Sequence, residues 1–286
     1  MQALGYNKLC NIEDFQDSQL AMFIRELLDY DSVASSRASF VQRLHKDGGL
    51  ERRNLPQAIL HRKFWEVAMA ARTLANLGVL GEDTEILGVG AGDEPTIFWL
   101  TRKVKRVFAT DLYLEHGAWE STAPTSMLTD PSRHSQGPWN PRRLVVQHMD
   151  GLDLQYEDES FGGIFSSSSI EHFGELADVR RAAEEMCRVL RPGGVATLST
   201  EFRLHGGPPG IPGVLLFNAV ELYDAIISAG DWAPVDPLDL YSSPASRASP
   251  VLYSEAVAGI QRFPHVVLSE AEHLWTSVHL ALRKAA

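Results

Sequence analysis

The stretch Glu85-Ile86-Leu87-Gly88-Val89-Gly90-Ala91-Gly92-Asp93-Glu94 decides the reading of this chain. An apolar run of strand type, TEILGV over 84–89, enters Gly-x-Gly-x-Gly. A helical pattern over 95–103 follows, with Ile97, Phe98 and Leu100 apolar and Arg102 and Lys103 at its end. Glycines in such a turn let the backbone bend sharply and approach a ligand closely. A helix start behind them favours a polar or negative group. A glycine-rich turn alone is also compatible with no ligand, so the neighbouring strand ends carry the decision.

Working outward, VKRVFAT (104–110) reads as a second strand, and Asp111 ends it 19 residues after Gly92. An acid there suits the two hydroxyls of a bound ribose. LVVQHM (144–149) is a third strand, ended by Asp150 and Gly151, from which a carboxylate can reach an adenine amino group. FGGIFS (161–166) is a fourth strand. Leu176, Val179, Ala183, Met186 and Leu190 mark a helix over 174–190, stopped by Arg191-Pro192-Gly193-Gly194. VATLST (195–200) is a fifth strand, and another helix covers 218–229. PHVVLS (264–269) and LWTSVHLALRK (274–284) close the chain as an antiparallel pair, because a parallel crossover needs about a dozen residues.

Upstream, Leu20, Phe23, Ile24, Leu27 and Leu28 keep helical spacing, as do Leu60, Phe64, Val67, Ala71 and Leu74 before Gly78. The expected organisation is a helical extension or lid over 1–80 and an α/β domain over 81–286. Irregular stretches at 113–143 and 203–216 follow strand ends, the ligand-binding edge of an open parallel sheet, and read as binding loops or lids.

The 286 residues include 26 Lys+Arg and 37 Asp+Glu, a net charge of −11. That balance speaks against nucleic acid and anionic membranes as partners. Cys10 and Cys187 provide neither a disulfide framework nor a cysteine metal site, although one distant bridge is allowed. No apolar run approaches the ~18 residues of a membrane span. The N-terminus has no targeting pattern, so a cytoplasmic location is expected.

From about Asp83 onward the sequence resembles the class I S-adenosylmethionine (SAM)-dependent methyltransferases, most closely the small-molecule type. The matching segments are ILGVGAGDE, VFATDLY, HMDGLDLQYEDESFGGIFSSSSIEHF and EMCRVLRPGGVATLSTEF, in the family's order. The resemblance implies a Rossmann-like seven-stranded sheet of order 3-2-1-4-5-7-6 with its last strand antiparallel. It also implies that the glycine segment, here Glu85, Gly88, Gly90 and Gly92, holds the methionine part of SAM. Asp111, with Leu112 beside it, would hold the ribose; Asp150, with Gly151, the adenine; and the backbone at Ser166 would line the cofactor. A nicotinamide dehydrogenase fits less well, since the third glycine of its fingerprint is replaced by Asp93 and Asp150 is left without a role.

On the acceptor side, Glu171 and His172 follow the fourth strand. Histidine titrates near neutrality and suits a general base beside the transferred methyl; capping of the next helix is the structural alternative. Some quinone-biosynthesis O-methyltransferases resemble this segment with a metal-binding Glu-x-x-Glu-His. Ser168 breaks that pattern here, but Glu171, His172 and Glu201 together could hold Mg²⁺. No Asn/Asp-Pro-Pro-aromatic motif follows the fourth strand, which disfavours methylation of nucleobase amino groups. Trp119, Trp139, His116, His134, Arg203 and His205 lie in the two long loops and would suit a sugar or polyol. The expected activity is O-methylation of a sugar or other polar metabolite by a monomer or homodimer, with a non-catalytic SAM-binding protein as the alternative.

Overall fold

The computed structural model of the chain describes residues 4–28, 60–115, 123–135, 137–260 and 262–286. His116 and Trp119 lie outside them. The strands are β1 (Lys8–Leu9), β2 (Glu85–Val89), β3 (Arg106–Asp111), β4 (Leu144–His148), β5 (Phe161–Ser167), β6 (Leu190–His205), β7 (Gly210–Ile211), β8 (Val214–Leu215), β9 (Trp232–Pro234), β10 (Val251–Leu252), β11 (Val267–Glu270) and β12 (His273–Lys284). The main helices are α1 (Ser18–Leu28), α2 (Arg62–Asn76), α3 (Pro95–Leu100), α4 (Ser126–Thr129) and α5 (Leu176–Val189).

The central strands read as near-continuous apolar runs because both faces of the sheet are covered. Side chains alternate across β2: Ile86 enters the core beneath α1, α2 and α3, and Leu87 enters the core beneath α5. Leu20, Phe23, Ile24 and Trp65 share the first of these cores with Val107 and Phe165, so the described part of the N-terminal extension is built into the sheet's packing. Gly88 lies inside β2, where a Cβ would come within 2.4 Å of the buried Phe165 ring. Gly88→Ala is therefore expected to cost about 1–3 kcal/mol through overpacking, read as a lower urea midpoint.

The sheet runs β10-β11-β12-β6-β5-β2-β3-β4. Within it lies the expected 3-2-1-4-5-7-6 order, as β4-β3-β2-β5-β6-β12-β11, with β12 antiparallel to β6. The detail differs at the edge beyond β12. Three short segments share the place of one sixth strand: β11 against His273 to Thr276, β1 against Val278 and His279, and β9 against Leu282–Lys284. Parallel β10 extends the sheet outside β11.

Several boundaries shift from those read in the sequence. β6 spans Leu190–His205, so the Arg191–Gly194 turn is absorbed into an irregular strand start with Gly193 at φ 75°, and the strand runs on into the expected 203–216 loop. The rest of that loop forms the β7–β8 hairpin. Leu176, at the first turn of α5, is exposed rather than part of its buried stripe. The 113–143 stretch contains α4 and two 3₁₀ turns. Cys10 and Cys187 are both buried and free. Among the described residues no helix is long and apolar enough to cross a membrane.

Candidate functional site

A cavity of about 640 Å³ opens at the C-terminal ends of β2 to β6, within the roughly 300–1,000 Å³ usual for small-molecule sites. Its cofactor-type half is assembled where β2 ends. Gly90 and Gly92 adopt φ of 60° and 54°, and a Cβ on Gly90 would lie 2.6 Å from that of Ser169. The loop is held from two sides. Ser169 Oγ donates to the Gly90 carbonyl at 2.6 Å, and the Gly92 N–H donates to Asp111 Oδ2 at 2.8 Å. The Leu112 N–H donates to Asp111 Oδ1 at 2.7 Å. Burial raises the Asp111 carboxyl above its ordinary range, and the two backbone donors pull it back. Asp150 Oδ1 accepts from the Leu152 N–H at 2.9 Å. Gly151 is needed because a Cβ would meet Phe173 at 2.9 Å.

The structure thus brings Gly90, Gly92, Asp111, Leu112, Asp150 and Gly151 to one cavity, and His172 and Glu201 to its other half. Four expected residues are placed elsewhere. Glu85 lies at the opposite end of β2, 3.2 Å from Lys105 Nζ. Gly88 serves strand packing. Ser166 is buried behind the wall, and the next residue, Ser167, lines the cavity instead. Glu171 is also buried behind it, accepting hydrogen bonds from Ser168 Oγ at 2.6 Å and Thr200 Oγ at 2.9 Å.

The Mg²⁺ set fails the fit. Glu171 is spent on two hydroxyls, Glu201 Oε1 lies 2.5 Å from Arg62 Nη1, and His172 Nδ1 lies 2.9 Å from the Gly213 carbonyl. Among the described residues no cluster of three or more His, Cys, Asp and Glu could hold a metal ion. A guanidinium already occupies the place of a cation.

The sequence reading missed the residues that α2 contributes. Arg62 bridges Glu66 (3.1 Å) and Glu201 (2.5 Å); Lys63 lies 3.2 Å from Glu66 and also donates to Ser168 Oγ. The signal available was an i,i+4 Arg–Glu pair on a helix whose neighbouring positions are apolar. Burial alone would raise the Glu201 carboxyl, but the Arg62 and Lys63 charges outweigh it and hold that carboxyl below its usual range. Glu66 moves the other way, raised by burial. Arg62→Met leaves two buried carboxylates short of a partner and is expected to cost about 3–5 kcal/mol near neutral pH. Glu201's stabilisation exists above the ordinary carboxylate range and fades as pH falls, so the difference from wild type should shrink in acid. Urea melts at several pH values check this.

The loop residues resolve into packing groups. His134 is buried, with Nδ1 3.0 Å from Asp93 and Nε2 2.8 Å from Ser126 Oγ, tying α4 to the glycine loop. Trp139 packs edge-on against Phe98. Arg203 is held by Glu221 and the Leu216 carbonyl, and His205 is exposed.

Residues 87–198 match the family described as methyltransferase domain. Among solved structures, geranyl diphosphate C-methyltransferase from Streptomyces coelicolor A3(2), bound to Mg²⁺, geranyl diphosphate and S-adenosyl-L-homocysteine, is 16% identical with a TM-score of 0.53, covering 77% of this chain and 78% of that one. A geranyl diphosphate methyltransferase in complex with SAM is 15% identical with a TM-score of 0.50, covering 77% and 86%. The [4+2]-cyclase SpnF is 19% identical with a TM-score of 0.50, covering 78% and 84%. The fold is that of the class I SAM-dependent methyltransferases. Residues 87–198, the stretch that matches the methyltransferase domain, form the centre of that fold.

Proposed function

We propose that the protein methylates a hydroxyl of a small polar molecule such as a sugar, with His172 as the general base. When bound, SAM supplies a methyl group already activated on a sulfonium. Gly90 and Gly92 give its methionine part close access to backbone, Asp111 receives the ribose hydroxyls, and Asp150 and Gly151 meet the adenine. The observation that carries the acceptor side is the 2.9 Å contact of His172 Nδ1 with the Gly213 carbonyl. A carbonyl only accepts, so in the neutral ring Nδ1 bears the hydrogen and Nε2 carries the basic lone pair. The ring lines the cavity, and Nε2 there takes the acceptor proton as the new bond forms. Ser168, at φ 53° after β5, is fixed by Lys63 and Glu171 and shapes the wall between the two halves. A methyl-transfer screen with labelled SAM over sugars, phenols and carboxylates tests the reading. Methyl ethers of polyhydroxylated acceptors are the expected products; methyl esters alone would overturn it.

A further inference from the structure

The acceptor half of the cavity holds a carboxylate whose second oxygen is unmatched. Glu201 is 3% exposed, and Arg62 engages its Oε1. Its Oε2 is shielded from solvent and has no hydrogen-bond partner among the described residues. A buried acceptor left without a donor is costly, of the order of 1–3 kcal/mol or more for a charged group. Topology puts this oxygen away from the cofactor acids. Glu201 is on β6, separated by β5 from β2 with its glycine loop, while Asp111 and Asp150 follow β3 and β4 on the other side.

Two aromatic rings line the same cavity, Tyr253 and Trp275, with centroids 5.6 Å apart and planes tilted by 58°. Trp275 and Ser277 alternate to the same face of β12, and Ser277 is the register partner of Glu201. Charge points the same way. Besides Glu94, whose carboxyl burial raises well above its ordinary range, six acidic side chains line the cavity (Glu66, Asp93, Asp111, Glu115, Asp150 and Glu201) against two basic ones, Arg62 and Lys63. Both bases are committed to Glu66 and Glu201. An anionic acceptor would meet carboxylates with no spare cation. A cationic one meets an unmatched carboxylate oxygen beside two aromatic rings, the combination that binds ammonium groups.

We propose that the acceptor carries a positively charged nitrogen, as in an amino sugar or amino alcohol, and that Glu201 Oε2 with the Tyr253 and Trp275 rings receives it. This rests on the hydroxyl-methylation reading for where the methyl goes, and narrows the substrate class. The nitrogen is an anchor; no bond to it forms or breaks.

The test uses the full chain saturated with S-adenosyl-L-homocysteine and matched pairs of probes at neutral pH: glucosamine against glucose, and 2-aminoethanol against ethylene glycol. Titration followed by NMR should show the amine of at least one pair binding tenfold or more tightly than its partner. Glu201→Gln should abolish that preference while leaving S-adenosyl-L-homocysteine affinity near wild type. Tyr253→Leu should weaken amine binding and Tyr253→Phe should retain it, which keeps the test open if the Glu201 variant folds poorly. The proposal is overturned if no pair shows the preference, if the preference survives Glu201→Gln, or if that variant loses cofactor affinity to the same extent. The position of the transferred methyl separates the two readings. O-methyl products without an amine preference leave the hydroxyl reading standing and sink the anchor. N-methyl products sink both the hydroxyl reading and the anchoring role.

Discussion

The His172→Ala protein is expected to transfer methyl groups about 10²–10⁴-fold more slowly while binding SAM with unchanged affinity. The ring reaches the cavity from the 3₁₀ turn Ile170–His172 that follows β5, and the β7–β8 hairpin fixes its tautomer through the Gly213 carbonyl. Removing the ring takes away the proposed proton acceptor and leaves the glycine loop, Asp111 and Asp150 untouched. Steady-state rates on the acceptor found by screening, with calorimetry for the cofactor, separate the two effects. Unchanged turnover would remove His172 as the base; a parallel loss of cofactor affinity would make it a binding residue.

Asp111→Ala is expected to weaken cofactor binding by about 10²–10⁴-fold. On the proposed ribose role, two charge-assisted hydrogen bonds to ribose hydroxyls are lost, each worth about 1.5–3 kcal/mol. The same carboxylate also accepts from the Gly92 and Leu112 amides, so its removal frees the glycine turn proposed to hold the methionine part. Asp111→Asn keeps the shape and one acceptor oxygen and should fall between wild type and Ala. Calorimetry with S-adenosyl-L-homocysteine measures both, and wild-type affinity in the Ala variant would sink the ribose assignment.

The proposed cofactor half was legible because its groups sit at the ends of consecutive strands. In a parallel sheet the strand ends converge on one edge, so Gly90, Gly92, Asp111 and Asp150 could be placed together from strand spacing alone. Glu85 and Gly88 were misplaced for a related reason. A motif read as a string does not say that Glu85 enters β2 at the far end, or that Gly88 is a glycine to admit Phe165. Glu171 was misplaced because adjacent residues on a 3₁₀ turn face different ways, His172 toward the cavity and Glu171 into the wall behind it.

The sequence by itself determined the class of fold, the antiparallel last strand and the strand ends that meet at one edge of the sheet, all of which follow from local periodicity and short-range spacing. Only the tertiary structure assembled the half of the cavity proposed for the acceptor. Arg62 and Glu66 on α2, Glu201 on β6, and Tyr253 and Trp275 near the C-terminus are up to some two hundred residues apart in the chain and meet because helix packing and strand order bring them together. Tertiary structure also decided the metal question, by putting the Arg62 guanidinium against Glu201. Whether a carboxylate is a ligand, a salt-bridge partner or an open acceptor depends on what its two oxygens touch, and no local pattern in the sequence records that.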